Sequence, residues 1–323
     1  MLAGDVGGTK TVLALFEVHG FDVTLLESER CASRDFASLE AAIAGFMNGV
    51  AHAPIAAACF GVPGVVMNGE ATATNLPWTV DETALRNAIP SPQVTLLNDL
   101  EAAAWGVLEL PAADIVSLQA GTRRSGHKVL IAAGTGLGEA LIIAEGTRYH
   151  VVASEGGHAD FAPRTALESE LLDYLRREFG HVSYERVLSG PGLLNIFRFL
   201  RETSGLVEPQ WLRDRLTAGE PSAAISEVGL AGGHPLCVEA LGLFASVYGA
   251  EAGNLGLKAL ALGGVFVGGG IAPKILPAFK SGAFLDGFLD KGRMAPLLRG
   301  IPVHVVLDPR TPLLGAATRA RTL

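Results

Sequence analysis

Several short polar clusters in this chain combine residue types and spacings that can do chemistry. Asp5 ends an apolar stretch and is followed by Gly7-Gly8-Thr9. Adjacent glycines admit backbone angles that side chains forbid, and they let N–H groups close around an anion. An acid at the end of a buried strand is costly unless it is paired or faces a cation. Asp5 beside such a turn therefore fits a nucleotide phosphate with its magnesium, or else an ordinary hairpin. Gly134-Thr135-Gly136-Leu137-Gly138 and Gly268-Gly269-Gly270 repeat the glycine turn at two further strand ends. Neither known phosphate-loop pattern fits them. Glu139 stands where the dinucleotide fingerprint requires its third glycine, and G-x-x-x-x-G-K-[ST] is absent.

Asn98-Asp99 falls where an apolar run meets a helical one. These residues suit helix capping, and Asp99 equally suits accepting the proton of a hydroxyl that attacks a phosphate. Glu155 and His158 lie three apart around two glycines, and Glu185 sits in a second polar turn. Carboxylates and imidazole both hydrogen-bond sugar hydroxyls, which donate and accept. A buried structural histidine and an ion pair from Glu185 to Arg186 or Arg198 are the plain alternatives. Trp78, near Asn75, reads first as a packing residue.

The elements that must carry these residues alternate in type. Strands are expected at 2–5, 11–16, 23–30, 55–60, 94–97, 129–133, 140–144 and 303–307, with a hairpin at Asn68-Gly69. Helices are expected from Ser38 or Asp35 to Val50, from Thr79 or Asp81 to Ile89, from Ser189 or Pro191 to Glu202, and over 100–110, 165–179, 235–262 and 313–321. The unit of apolar strand, glycine turn and apolar strand occurs at the start and again about 128 residues later, too long a period for a solenoid. The pattern predicts an α/β fold of two similar domains with mixed sheets flanked by helices. One is a small domain, 1–110 plus 303–323; the other is a larger domain, 111–302. The 323-residue length agrees with about two domains.

Net charge is −8, which argues against a nucleic-acid partner. No run reaches the ~18 uncharged apolar residues of a membrane helix, and no leader peptide is legible at the N-terminus. Cys31, Cys59 and Cys237 are few and far apart, so reduced thiols in a cytoplasmic protein are expected.

Taken together in order, Asp5-Val6-Gly7-Gly8-Thr9, Thr74-Asn75-Leu-Pro-Trp78, Leu97-Asn98-Asp99, Gly134-Thr-Gly-Leu-Gly138, Glu155-Gly-Gly-His-Ala-Asp-Phe161, Glu185-Arg-Val-Leu-Ser-Gly-Pro-Gly192 and Gly264-Val-Phe-Val-Gly-Gly-Gly-Ile271 resemble the bacterial glucokinase family of the hexokinase–actin–Hsp70 superfamily. The resemblance covers nearly the whole chain. It implies two ribonuclease-H-like (actin-like ATPase) domains, with ATP, Mg2+ and glucose taken in an interdomain cleft. It implies Asp99 as the base on the sugar's primary hydroxyl, with Asn75, Asn98, Glu155, His158 and Glu185 on the sugar. Gly4, Asp5, Val6, Gly7, Gly8 and Thr9 would form one phosphate loop, and Gly134, Thr135 and Gly136 the other. Asp5 would serve the magnesium indirectly, and Gly268, Gly269 and Gly270 would line the adenosine. A homodimer is also implied. Lys10 stands where many of these glucokinases have Asn, as it does in the related ROK sugar kinases. The cysteine-rich zinc motif typical of ROK members is not present, which sets the chain with the zinc-free glucokinases. Kinases of another hexose (mannose, N-acetylglucosamine) and non-catalytic sugar sensors share the pattern.

Overall fold

The computed structural model describes residues 1–19, 22–50, 54–72, 78–89 and 91–323. Asn75 lies outside the described residues. The chain forms two compact units: 1–113 with 151–153 and 308–323, and 114–150 with 154–307.

In the first unit, β1 (Leu2–Val6), β2 (Lys10–His19), β3 (Asp22–Ala32), β4 (Ala58–Val62), β5 (Val66–Met67), β6 (Glu70–Thr72), β7 (Thr79–Asp81) and β8 (Val94–Asn98) build two sheets. The larger has the order β3-β2-β1-β4-β8. β1 runs antiparallel to β2 and parallel to β4, which runs parallel to β8. Alternation sends Leu2, Val6 and Leu13 to one face, where Leu39, Ile43 and Phe46 of α1 (Leu39–Asn48) and Leu85 of α2 (Glu82–Ala88) cover them. Burying each such side chain is worth about 1.5–3 kcal/mol. Ala3, Ala14 and Cys59 face the other way, onto α3 (Asp99–Val107) and the C-terminal helix Thr311–Arg321. Those two helices meet closely: a Cβ on Gly106 or Gly315 would overlap the opposite helix's backbone.

β4 begins and ends later than its apolar run predicts, because Gly61 is inside the strand. It pairs with Asp5 and Leu97, and a Cβ there would lie 2.8 Å from Ala102 Cβ. The Asn68-Gly69 hairpin forms with both φ positive, 54° and 80°.

In the second unit, β9 (Ile115–Gln119), β10 (Lys128–Ala133), β11 (Leu137–Glu145) and β12 (Arg148–Ser154) are joined by β13 (Gly264–Gly268) and β14 (Val303–Val306) in the order β12-β11-β10-β13-β14-β9. β10 is antiparallel to β11 and parallel to β13, repeating the relation of β1 to β2 and β4. β9 went unread in the sequence, being a short, half-buried edge strand. Between β12 and β13 run α4 (Ala166–Phe179), α5 (Gly190–Thr203), α6 (Gln210–Thr217), α7 (Pro221–Leu230) and α8 (Pro235–Lys258). α8 ends before the expected residue 262, and Leu260 follows in the left-handed region with φ 47°. By length and composition α8 alone among the described helices is apolar enough to cross a membrane, yet 72% of its most apolar stretch is buried inside the protein. Phe244, Tyr248 and Leu255 of α8 pack in the core of this unit.

Candidate active site

In the first unit, Asp5 and Asn98 stand near the carboxyl ends of parallel strands, with Asp99 just beyond Asn98. Ligands of open α/β sheets gather at such ends. Asn98 takes the cap of α3: its Oδ1 accepts from Leu100 N at 2.9 Å, and its Nδ2 donates to Gly64 O at 2.8 Å. Asp99 occupies the first helical position and is exposed, with Oδ1 accepting from Leu100 N at 2.8 Å. The two candidate roles thus divide between neighbours. Asn98 fixes the helix start, and Asp99 presents a carboxylate to solvent beside it.

Burial pushes the Asp5 carboxyl up to about 6; Lys10 opposes this and Asp99 adds to it. Gly7 N donates to Lys10 O at 2.9 Å, and Ser33 Oγ donates to Gly7 O at 2.7 Å while lying 3.0 Å from Thr11 Oγ1. None of these bonds uses the N–H of Gly8 or Thr9. Neither Gly7 nor Gly8 has positive φ, so the freedom that adjacent glycines offer is not used here. Gly7 is required by space instead, since a Cβ there would lie 3.0 Å from Lys10 O. Gly4 and Val6 are buried inside β1, Gly4 beneath the Phe60 ring. Thr11 and Ser33, which pin the turn, were missed because a buried hydroxyl pair 22 residues apart leaves no local pattern. Trp78 is 2% exposed and packs in the core, with Nε1 donating to Phe36 O at 3.3 Å.

In the second unit the structure brings four predicted clusters together. Gly134 N donates to Gly136 O, and Gly190 N donates to Gly134 O, both at 2.8 Å. Leu137 N donates to Glu185 Oε2 at 3.0 Å. A Cβ on Gly136 would lie 2.5 Å from that same oxygen, so glycine is needed for the carboxylate to reach the loop. The turn Gly156–His158 lies against Leu137, whose carbonyl a Cβ on Gly157 would strike. Gly269 has φ 81° and sits on the Ala133 backbone, so the Gly268–Gly270 turn meets the base of the Gly134 loop. Glu185 makes no ion pair with Arg186 or Arg198 within 4.0 Å; it is a strut for the glycine loop. Glu155 and His158 are exposed, with Oε2 and Nε2 3.8 Å apart.

Sequence reasoning missed Tyr248. From the buried middle of α8 its hydroxyl accepts from Ala133 N at 2.9 Å and lies 3.5 Å from Gly268 O. It ties the ends of β10 and β13 just where both glycine turns begin. A tyrosine in an apolar helix reads as core, and only the fold reveals its polar end. Beside Thr135 opens a cavity of about 310 Å³, lined also by Phe179, Glu185, Ser189, Leu194 and Arg198. Among the described residues no three His, Cys, Asp or Glu side chains form a metal-binding group.

In the first unit an exposed acid at a helix start can take a proton; in the second, a glycine loop can cradle an anion and a carboxylate–imidazole pair can bind hydroxyls. The family model described as Glucokinase matches residues 2–323. The chain is 41% identical to the glucokinase of Trichormus variabilis, over 100% of this chain and 99% of that one. It is also 41% identical to the glucokinase of Synechocystis sp., over 99% and 97%. The fold superposes on the crystal structure of a glucokinase from an Antarctic psychrotroph with a TM-score of 0.90 at 30% identity, covering 100% and 98% of the two chains. A ROK family glucokinase from Streptomyces griseus, solved with glucose and AMPPNP, shares the fold at a TM-score of 0.65 and 22% identity, over 100% and 99%. The α/β architecture with mixed sheets is thus that of the sugar kinases of the actin-like ATPase fold, and the chain belongs to the glucokinase family.

Proposed function

We propose that this chain is an ATP-dependent glucokinase that transfers the γ-phosphoryl group of ATP to O6 of D-glucose, with Asp99 as general base. The observation that carries the reading is the division of labour at the start of α3. Asn98 serves the helix cap, while Asp99, exposed at the first helical position, follows the carboxyl end of a parallel strand and its charge reaches Asp5. Asp99 takes the O6 proton as the oxygen attacks, and ADP leaves. Glu155, His158 and Glu185, with Asn75, accept from and donate to the remaining hydroxyls, while Asn98, expected from the sequence to join them, has its amide engaged by the helix cap and Gly64 O. The N–H groups of Gly8 and Thr9, and of Thr135 and Gly136, hold phosphate oxygens, because Gly4 and Val6 lie in the β1 ladder and the N–H groups of Gly7 and Gly134 are already bonded within their turns; Gly268–Gly270 line the adenosine, aided by the cavity beside Thr135. Catalysis is then mainly positioning and electrostatic stabilisation.

The donor set fits magnesium of the kind that keeps most of its waters, because one half-buried carboxylate, Asp5, precedes the phosphate turn and feels the charge of Asp99. When bound, the ion offsets the charge on the transferring phosphoryl oxygens. Asp5 orients its water shell.

The reading also takes the chain as a zinc-free glucokinase distinct from ROK kinases. In support, no cysteine lies between Cys59 and Cys237. Acidic net charge supports small-molecule partners without nucleic acid, and three free thiols support a cytoplasmic setting. The homodimer and the absence of membrane binding belong to the same proposal.

Coupled ADP release over a panel of hexoses tests it. Glucose is the expected best acceptor. A higher kcat/KM for mannose or N-acetylglucosamine reassigns the substrate, and turnover of none of them makes the chain a sensor.

A further inference from the structure

Glu139, on β11, is 2% exposed, and Glu251, in the middle of α8, is fully buried. The two carboxyls are near neighbours: after burial itself, Glu251 is the main influence raising the Glu139 carboxyl. Two buried carboxylates in contact cannot both stay ionised without two cations nearby. Among the described residues, the ion pair to this site comes from Lys258, its Nζ 3.3 Å from Glu251 Oε1. The other Glu251 oxygen accepts from Asn254 Nδ2 at 2.7 Å. Glu139 Oε1 is buried and has no hydrogen-bond partner among the described residues. Two neighbours give the pair its reach. Glu139 Oε2 lies directly under Gly156, where a Cβ would overlap it. Glu251 meets the hydroxyl of Tyr184, which also accepts from Asn254 Nδ2 at 3.1 Å. Gly156 follows Glu155, and Tyr184 precedes Glu185. The pair therefore underlies both turns that carry the candidate sugar ligands, and those turns are joined to each other by Tyr184 N donating to Ala159 O at 3.0 Å.

We propose that Glu139 and Glu251 are positioning residues for sugar binding: they hold one proton between them, and that proton keeps the turns bearing Glu155, His158 and Glu185 in place. This rests on the glucokinase reading for the identity of the sugar. When the proton leaves to solvent, two carboxylates repel across the contact. The strain falls on Gly156, whose backbone rests on Glu139. The groups facing the pair are Lys258, Tyr184 and, more distantly, Lys291 and Tyr248. Only the two lysines are cations. Burial and then Glu251 push Glu139 up to about 7, with Lys258 opposing, so the change falls near neutral pH.

The test compares glucose KM, ATP KM and kcat of the wild type and Glu139→Gln from about pH 6 to about pH 9. Glutamine donates an N–H to Glu251 and does not titrate. The wild type should show glucose KM rising several-fold toward alkaline pH with little change in ATP KM, and Glu139→Gln should hold the low value throughout. Superimposable profiles for the two proteins would overturn the proposal. Carboxyl NMR of the unmodified protein supplies a second reading that needs no variant and no activity. One glutamate titrating near neutral pH supports the shared proton, and none titrating above about pH 6 rejects it. If the wild type phosphorylates no hexose, the function fails while the titration still decides on the proton.

Discussion

The Leu137 N–H donates to Oε2 of Glu185 at 3.0 Å, so a carboxylate expected at the sugar holds the loop expected at the phosphates. In this unit the proposed sugar site and the proposed phosphate loop share one side chain. A hydrogen bond to a charged group is worth about 1.5–3 kcal/mol. Glu185→Ala should therefore weaken ADP binding measured without sugar by about 10-fold or more. Glu185→Gln, which keeps an acceptor for Leu137, should retain most of that binding while raising glucose KM. Equal ADP affinity in Glu185→Ala and the wild type would show the strut to be idle.

The glycines of the same loop should respond differently to alanine. At Gly136 a Cβ would lie 2.5 Å from Glu185 Oε2, whereas at Gly134 nothing lies within 4 Å. Gly136→Ala should displace the strut, lower the thermal midpoint and raise ATP KM. Gly134→Ala should fold as the wild type does, because its new methyl meets only open space. Thermal melts of the two proteins side by side check this, and the reverse order contradicts it.

Asp5 carries a pH signature of two opposite signs. Its carboxyl is raised from 3.8 to about 6, chiefly by burial. The folded state then holds the proton more tightly than the unfolded chain. Stability from this site is greatest below the ordinary value and declines as pH rises through about 6. Activity should move the other way, since only the ionised form orients magnesium. We expect an acid limb in kcat/KM for MgATP near pH 6. Asp5→Asn should lower that activity, abolish the limb and flatten the stability trend, while leaving sugar binding intact.

Tyr248→Phe removes the hydroxyl that accepts from Ala133 N inside the core. A buried donor left without a partner costs about 1–3 kcal/mol. Denaturant unfolding should show a loss of that order, with a rise in ATP KM because both glycine turns begin at the strand ends Tyr248 ties.

Much of the architecture was legible in the sequence because the signals were local. Ser38, Asp81, Thr165 and Ser189 each cap the helix that follows, and Asn68-Gly69 makes its hairpin. The recurrence of strand, glycine turn and strand foretold two related sheets. The failures were non-local. Gly61 looks like a strand terminator, but its partners Asp5, Leu97 and Ala102 are far off in sequence, and their closeness keeps it in the strand. The Glu139–Glu251 contact joins residues 112 apart and left no trace in either segment's pattern. At the site the residue types were readable, while their division into ligand and support was not. Asn98 as cap, Glu185 as strut and Tyr248 as tie depend on which backbone group lies within 3 Å, and only the fold decides that.

The central claim is that Asp99 takes the proton from glucose O6. The most direct measurement is kcat for glucose phosphorylation by Asp99→Asn, with thermal midpoint and glucose affinity measured on the same preparation. General-base catalysis is typically worth about 10²–10⁴-fold. A fall of that size in kcat, with folding and glucose affinity near those of the wild type, is the predicted result. A kcat within a few-fold of the wild type would contradict the assignment.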